Sequence, residues 1–571
     1  MMRKYFTTVI ALAFCCVSSI YAALPVEKFT IVYKLHGQTR RYSVNLSENA
    51  DTLKLNWGIE RNTKWQSGSY AMPSTSRKSA TQLSFAQPID GSHLTLDNAT
   101  FALISSNALA ELKSKHSFNY GGVSYKLKEK QGSRICVVDT VEGREMTILD
   151  DANLPLILRM ANNPLGINWA IDLADDDIAG KLPYGASGGV YYAYPVTQTS
   201  LQQPPAGFYP VLISHYGRHG SRQAIKVYPY TDVIDEFARQ HDIDNLTPLG
   251  VEVEAKVNKL WNDAKGKLGS LTKLGERQHK AIASRMIENF PSLFLDSAHI
   301  EVYASTEPRC IVSMAAFCER LKEIHPSLDI DRHVTPGGMD IISYSSPEAV
   351  MLNKDDAPWR DAYIHWSDSL VNQDHLMHSL FKSPEKVQSA SQFVRFLHDL
   401  AVTEQNLDTS MDLLNIFTDD ELYALWRVLN YNMYVKHAYS GISNAAGPNS
   451  AKSLLNHVIA TADSVLAFQK PGVILRFGHD TALIRLLALM QVDGCANAES
   501  NPDLFHEVWQ DYKISPMAAN LQLLFYRNDS GKVIVQLLHN EAPATLPIEQ
   551  YSPGFYDWQT LRQFWLNKLP Q

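Results

Sequence analysis

Three segments of this chain repeat one local design: a short apolar run, a tight turn dense in polar groups, then a helical pattern. The first is Val211-Leu-Ile-Ser214, followed by His215-Tyr-Gly-Arg-His-Gly-Ser-Arg222. The second is Ile300-Glu-Val-Tyr-Ala304, followed by Ser305-Thr-Glu-Pro-Arg309. The third is Val473-Ile-Leu-Arg-Phe477, followed by Gly478-His479-Asp480. Apolar runs of strand length alternating with longer helical patterns predict an α/β domain around a central sheet. Glu252–Trp261, Glu276–Phe290, Ile311–Ile324 and Thr481–Met490 carry the helical periodicity. Open α/β sheets bind ligands beyond the carboxyl ends of their strands. If the three strands share one sheet, their turns converge on one crevice.

That crevice would hold three arginines, two histidines and one carboxylic acid. The planar guanidinium of arginine matches phosphate oxygens and stays charged at any working pH. Arg218, Arg222 and Arg309 can together neutralise a phosphate group. Gly217 and Gly220 allow a close backbone approach. His479 begins a helix, where unpaired N–H groups favour an anion. Ser305 or Thr306 is expected to cap the second helix, with Pro308 in its first turn. A histidine nitrogen can attack phosphorus and form a covalent intermediate, and His219 is the candidate. Asp480 is the candidate proton donor to the leaving oxygen. A bound phosphate would raise its pKa by like charge, and the arginines would oppose that. The arginines supply the charge stabilisation themselves, so this chemistry calls for no metal and no cofactor.

Competing patterns are weaker. His215 and His219 have the spacing of a helical zinc pair, but Gly217 interrupts a helix there and the usual glutamate is missing. His457 with Asp463 is a faint metal candidate. Gly185-Ala-Ser-Gly-Gly189 matches the serine-hydrolase elbow, which needs a strand before it and a helix after it. A proline-containing loop precedes it, and Val190-Tyr-Tyr-Ala-Tyr194 reads as a strand, so Ser187 is assigned to a loop. Arg309 also has a simpler reading, as a surface arginine paired with Glu307 or Glu319.

The remaining chain sets the context. At 571 residues it exceeds one ordinary domain. Arg3 and Lys4, then an apolar stretch from Phe6 to Ile20, then Ile20-Tyr-Ala22, read as a secretion signal cleaved after Ala22. This predicts a secreted or periplasmic protein with no stable membrane insertion after cleavage. Residues 23–173 alternate as short strands and predict a smaller β-rich domain of unassigned role: Phe29–Tyr33, Arg41–Leu46, Gly122–Leu127 and Cys136–Thr140 carry the pattern. The acidic run Asp175 to Asp177 with Gly180 and Pro183 marks a boundary, which leaves 174–571 as the catalytic domain. Within it, residues 340–440 are helical and rich in aromatics, a cap inserted over a mixed sheet. Net charge is −8, so nothing global points to nucleic acid. Beyond the leader only Cys136, Cys310, Cys318 and Cys495 remain, so disulfides are not the main scaffold, although one or two bridges are possible.

Arg218-His-Gly-Ser-Arg222 resembles the R-H-G-x-R signature of the histidine acid phosphatases, and Gly478-His479-Asp480-Thr481 resembles their H-D motif. The likeness is greatest to the branch of multiple inositol-polyphosphate phosphatases and phytases. Ser305–Phe317 is similar to its further arginine segment, Val473–Met490 is similar throughout, and Leu271–His279 fits the helix after the first motif. The likeness spans about residues 185–571. It implies a metal-independent phosphomonoesterase with His219 as the phosphorylated histidine. Arg218, Arg222, Arg309 and His479 would bind phosphate, Asp480 would donate the proton, and the substrate would be a small phosphorylated molecule such as phytate. There are two departures. Gln223-Ala224 stands where the family places a proline, and His479-Asp480 stands where the inositol branch often has H-A-E. Sugar phosphates, a non-catalytic phosphate-ligand binding protein and a phosphomutase remain as other readings.

Overall fold

The computed structural model describes residues 28–569, apart from positions 36–37, 50, 62–63, 132–133, 140, 162–166, 174–181, 196–200, 296–297, 410 and 469–471. The expected leader and the acidic run Asp175–Asp177 fall outside the described residues.

The six longer strands of the C-terminal sheet are β1 (Tyr209–Arg218), β2 (His299–Ala304), β3 (Asp329–His333), β4 (Gly472–Gly478), β5 (Asn520–Arg527) and β6 (Val533–His539). They lie in the order β3-β2-β4-β1-β5-β6, and two short pairings on β6 complete the eight strands. The first four run parallel, while β5 and β6 are antiparallel. Every described residue of β4 is buried, as expected for a central strand covered on both faces. Alternate residues feed opposite layers. Leu212, Ile474 and Leu523 enter one core, and Ile213, Val473 and Leu524 enter the other. The sheet is therefore the wall between two cores.

Five of the longer helices are α1 (Lys273–Asn289), α2 (Pro308–Ile324), α3 (Ala390–Glu404), α4 (Asp419–His437) and α5 (Asp480–Met490). Thr272 caps α1 by accepting from Gly275 N, and Thr247 caps the helix Pro248–Ala264 in the same way. The expected cap on α2 is not formed. Its N-cap is Glu307, with no side-chain bond and with Pro308 at the first turn. Ser305 Oγ is instead drawn to Glu307 N at 3.3 Å and to His479 Nε2 at 3.0 Å. The helical cap contains α3, α4 and the shorter helices Arg360–Leu370 and Asp374–Leu380. Part of it shares a core with the helices Tyr228–Asp242 and Pro248–Ala264.

The β-rich region forms an eleven-stranded sheet in which Lys28–Leu35 pairs with Ile167–Leu173 at its centre. It has its own aromatic core around Tyr33, Tyr70, Phe101 and Trp169. Arg134 approaches Asp419 at 3.6 Å, and Arg159 donates to Asn415 at 2.5 Å, so the sheet rests against the cap. Cys136, Cys310, Cys318 and Cys495 are unpaired. Among the described residues no helix is long and apolar enough to cross a membrane.

Candidate active site

The sheet register places the three turns side by side. Arg218 pairs with Gly478 across β1 and β4, and Ala304 pairs with Phe477 across β2 and β4. The backbone continues this pairing past the strand ends: His219 N donates to Gly478 O at 3.0 Å, and Ser305 N donates to Phe477 O at 2.9 Å. The convergence expected from sequence is thus a consequence of parallel pairing.

The loop after β1 is fixed from below. Gln278 of α1 accepts from Ser221 N at 2.8 Å, Ser313 of α2 accepts from Gly220 N at 3.1 Å, and Asn406 accepts from Ser221 Oγ at 2.8 Å. The close approach at Gly220 is made by α1. A Cβ there would lie 2.6 Å from Gly275 O and 2.7 Å from Gly275 Cα. Glycine is required at 220 because two backbones touch. At Gly217 the neighbour is the buried His215 ring.

His219 is 2% exposed, and its Nδ1 lies 3.0 Å from Gly220 O. A carbonyl can only accept, so Nδ1 carries the proton and the Nε2 lone pair is free. Burial, then Arg218 and Arg222, hold the imidazole well below its ordinary pKa, so it is neutral. His479 faces it, with ring centroids 5.8 Å apart, and burial lowers His479 to about 4.

The three arginines share one feature. The Nε of Arg218, Arg222 and Arg309 is buried and has no partner. Arg218 is fully buried: Nη1 donates to Val190 O and, at 2.7 Å, to Ser515 O, while Nη2 donates to Asp480 Oδ2 at 2.9 Å. Arg222 donates to Gln223 O at 3.0 Å and lies 4.9 Å over the Tyr191 ring. Arg309 does pair with Glu307, at 2.7 Å, yet it is only 13% exposed and close enough to Arg218 to lower that guanidinium's proton affinity. Unpaired donors at buried arginines are costly unless an anion meets them. Burial favours the neutral acid at Asp480, but the charges around it, Arg218 first and Arg222 also, outweigh it and hold the carboxyl well below the usual range. In the free protein Asp480 is therefore ionised.

The other patterns resolve as structure. His457 Nδ1 meets Arg476 Nε at 3.1 Å, and Asp463 pairs with Arg562 at 2.8 Å. Ser187 is buried 3.2 Å from His398 in a 3-10 turn, Ala186–Tyr191, and no strand forms at Val190–Tyr194. Sequence reasoning missed Tyr191, Lys436 and Asp511. Tyr191 stacks on Arg222, and Lys436 stands near Lys226 and Arg360.

The model of the histidine phosphatase superfamily (branch 2) matches residues 217–540. Multiple inositol polyphosphate phosphatase 1 of Gallus gallus is 23% identical over 372 residues, 59% of this chain and 78% of that protein. The fold is similar to Bifidobacterium longum multiple inositol polyphosphate phosphatase in complex with inositol hexasulfate, with a TM-score of 0.53 at 16% identity, covering 66% of this chain and 97% of that one. It is also similar to the phytase from D. castellii, with a TM-score of 0.53 at 15% identity, covering 70% and 89%. The matched span contains the Arg218–Arg222 segment, the two later turns and strands β2 to β6, and this chain belongs to branch 2 of the histidine phosphatase superfamily.

Proposed function

We propose that this phosphoric monoester hydrolase works through a phosphohistidine at His219 and acts on inositol polyphosphates. The observation that carries the reading is the neutral, free Nε2 of His219 close to Arg218 and Arg222, with buried Nε–H groups lacking partners on both of these and on Arg309. Arg218 spends Nη1 on two carbonyls, so its Nε–Nη2 edge is the fork open to phosphate. Phosphate on that edge shares the guanidinium charge with Asp480. The carboxylate then gains a like charge beside it, which raises its proton affinity, and it takes up one proton from solvent as substrate binds. His219 Nε2 attacks phosphorus, and Asp480 protonates the departing alkoxide. In the second step Asp480 takes a proton from water as its oxygen attacks phosphorus and frees His219. Arg222, Arg309 and His479 hold the equatorial oxygens.

The substrate class rests on the relatives' names and on a second group of cations. Lys436 stands close to both Lys226 and Arg360, with Lys436 and Arg360 both against the Trp359 ring at 5.7 and 5.6 Å. Lys226 also stands close to Tyr191, which covers Arg222. A substrate with several phosphates meets both groups, whereas a monophosphate meets only the first. Residues 23–173 serve as an accessory domain, and residues 1–22 direct secretion or periplasmic export. A panel of phytate, sugar phosphates and an aryl phosphate tests the assignment. Preference for phytate is expected, and equal rates on all three would shift it to general monoesters.

A further inference from the structure

Both carbonyls that hold Arg218 Nη1 lead back to one residue, Asp511, almost three hundred positions away in the chain. Val190 O is one of them, and the N–H of Val190 donates to Asp511 Oδ2 at 3.2 Å. Ser515 O is the other, and the N–H of Ser515 donates to Asp511 O at 2.8 Å. Asp511 is 0% exposed. Its Oδ1 accepts from Trp426 Nε1 at 3.0 Å, and its own N–H donates to Asn430 Oδ1 at 3.0 Å, both from α4. The carboxylate is close enough to Arg218 for their charges to interact. Gly189 completes the arrangement. It has φ +55°, and a Cβ there would fall inside the contact distance of Asp511 Oδ2. Gly189 thus has both a backbone and a steric reason to be glycine.

We propose that Asp511 is a positioning residue that sets the phosphate-binding edge of Arg218. The inference rests on the phosphatase reading of the site. With Nη1 fixed by two carbonyls, the guanidinium plane is set before substrate arrives, and Nε and Nη2 point where phosphate must sit. Asp511 itself touches neither the nucleophile nor the open edge.

The test is Asp511→Asn in the full chain, read by KM on an aryl phosphate, by inhibition by inorganic phosphate, and by Tm. An amide must turn its NH2 toward one of the donors that the carboxylate accepts. The expected result is a rise of about tenfold in both KM and the phosphate inhibition constant. Trp426→Phe, which removes only the Oδ1 donor, is expected to give a smaller rise of the same kind, and it decides the matter if Asp511→Asn does not fold. A lower Tm with wild-type KM and inhibition constant in the variants that fold would overturn the role of Asp511 and leave the phosphatase reading intact. Wild-type protein that neither hydrolyses the aryl phosphate nor binds inorganic phosphate would overturn both.

Discussion

Arg218 Nη2 donates to Asp480 Oδ2 across 2.9 Å, with the guanidinium fully buried and the carboxylate 18% exposed. The residue that must give up a proton is thus locked as an anion by the residue that must receive the phosphate. A phosphate on the Nε–Nη2 edge shares the Arg218 charge with Asp480 and sets a like charge beside it, so substrate binding and the arming of the acid are coupled. Asp480→Asn should lower kcat by ~10²–10⁴-fold on an alkyl phosphate, the usual weight of a general acid. On an aryl phosphate, whose leaving group needs less protonation, the loss should be much smaller. Equal losses on both substrates would contradict the assignment.

The second cation group gives a pH signature. Burial, then Arg360 and Lys226, lower Lys436 to about 8, and Asp355 opposes them. Lys436 is charged below that value and neutral above it. Preference for phytate over an aryl phosphate should therefore decline as pH rises from 7 to 9. Lys436→Met should raise KM for phytate by about tenfold, the weight of one charged hydrogen bond, with a smaller change for the aryl substrate.

Gly220→Ala tests the contact under the loop. The new methyl would meet the Gly275 backbone at 2.6 Å, and neither partner is a flexible side chain. Overpacking of this kind costs roughly 1–3 kcal/mol. A lower Tm together with lost activity is the expected result, and a wild-type thermal profile would show that the two backbones are not in contact.

Buried neutral histidines should make the fold acid-sensitive. Burial lowers His215, His279 and His398 to about 3. Between pH 6.5 and 3 the unfolded chain takes up protons that the folded chain refuses, so stability falls as pH falls. Each such histidine contributes a slope of up to ~1.4 kcal/mol per pH unit. Asp399 and Asp511, raised to about 7 chiefly by burial, act in the opposite direction below pH 7. His398→Gln should flatten the fall in stability between pH 6 and 4. An unchanged slope, measured by denaturation at each pH, would contradict the burial argument.

The strand-to-helix turns were legible because each is local: apolar run, polar turn and helix lie within about twenty residues. Their meeting followed from a general rule for parallel sheets. Val190–Tyr194 misled because its β-branched and aromatic residues favour strands in isolation. Glycine at 185 and 189, both at positive φ, turns the chain there, and Tyr192 and Tyr194 are buried by packing instead. Ser305 looked like a helix cap until His479, from another strand, competed for its hydroxyl. Asp511 had no local signature, since its importance to Arg218 comes from two backbone carbonyls that only the folded chain brings together.

The most direct test of the account is rapid quenching of the enzyme with a substrate labelled at phosphorus, carried out on wild-type protein and on His219→Ala. The account predicts one acid-labile, base-stable label per wild-type chain, located at His219, with neither label nor turnover in the variant. Label on another residue, or hydrolysis that survives in His219→Ala, would contradict it.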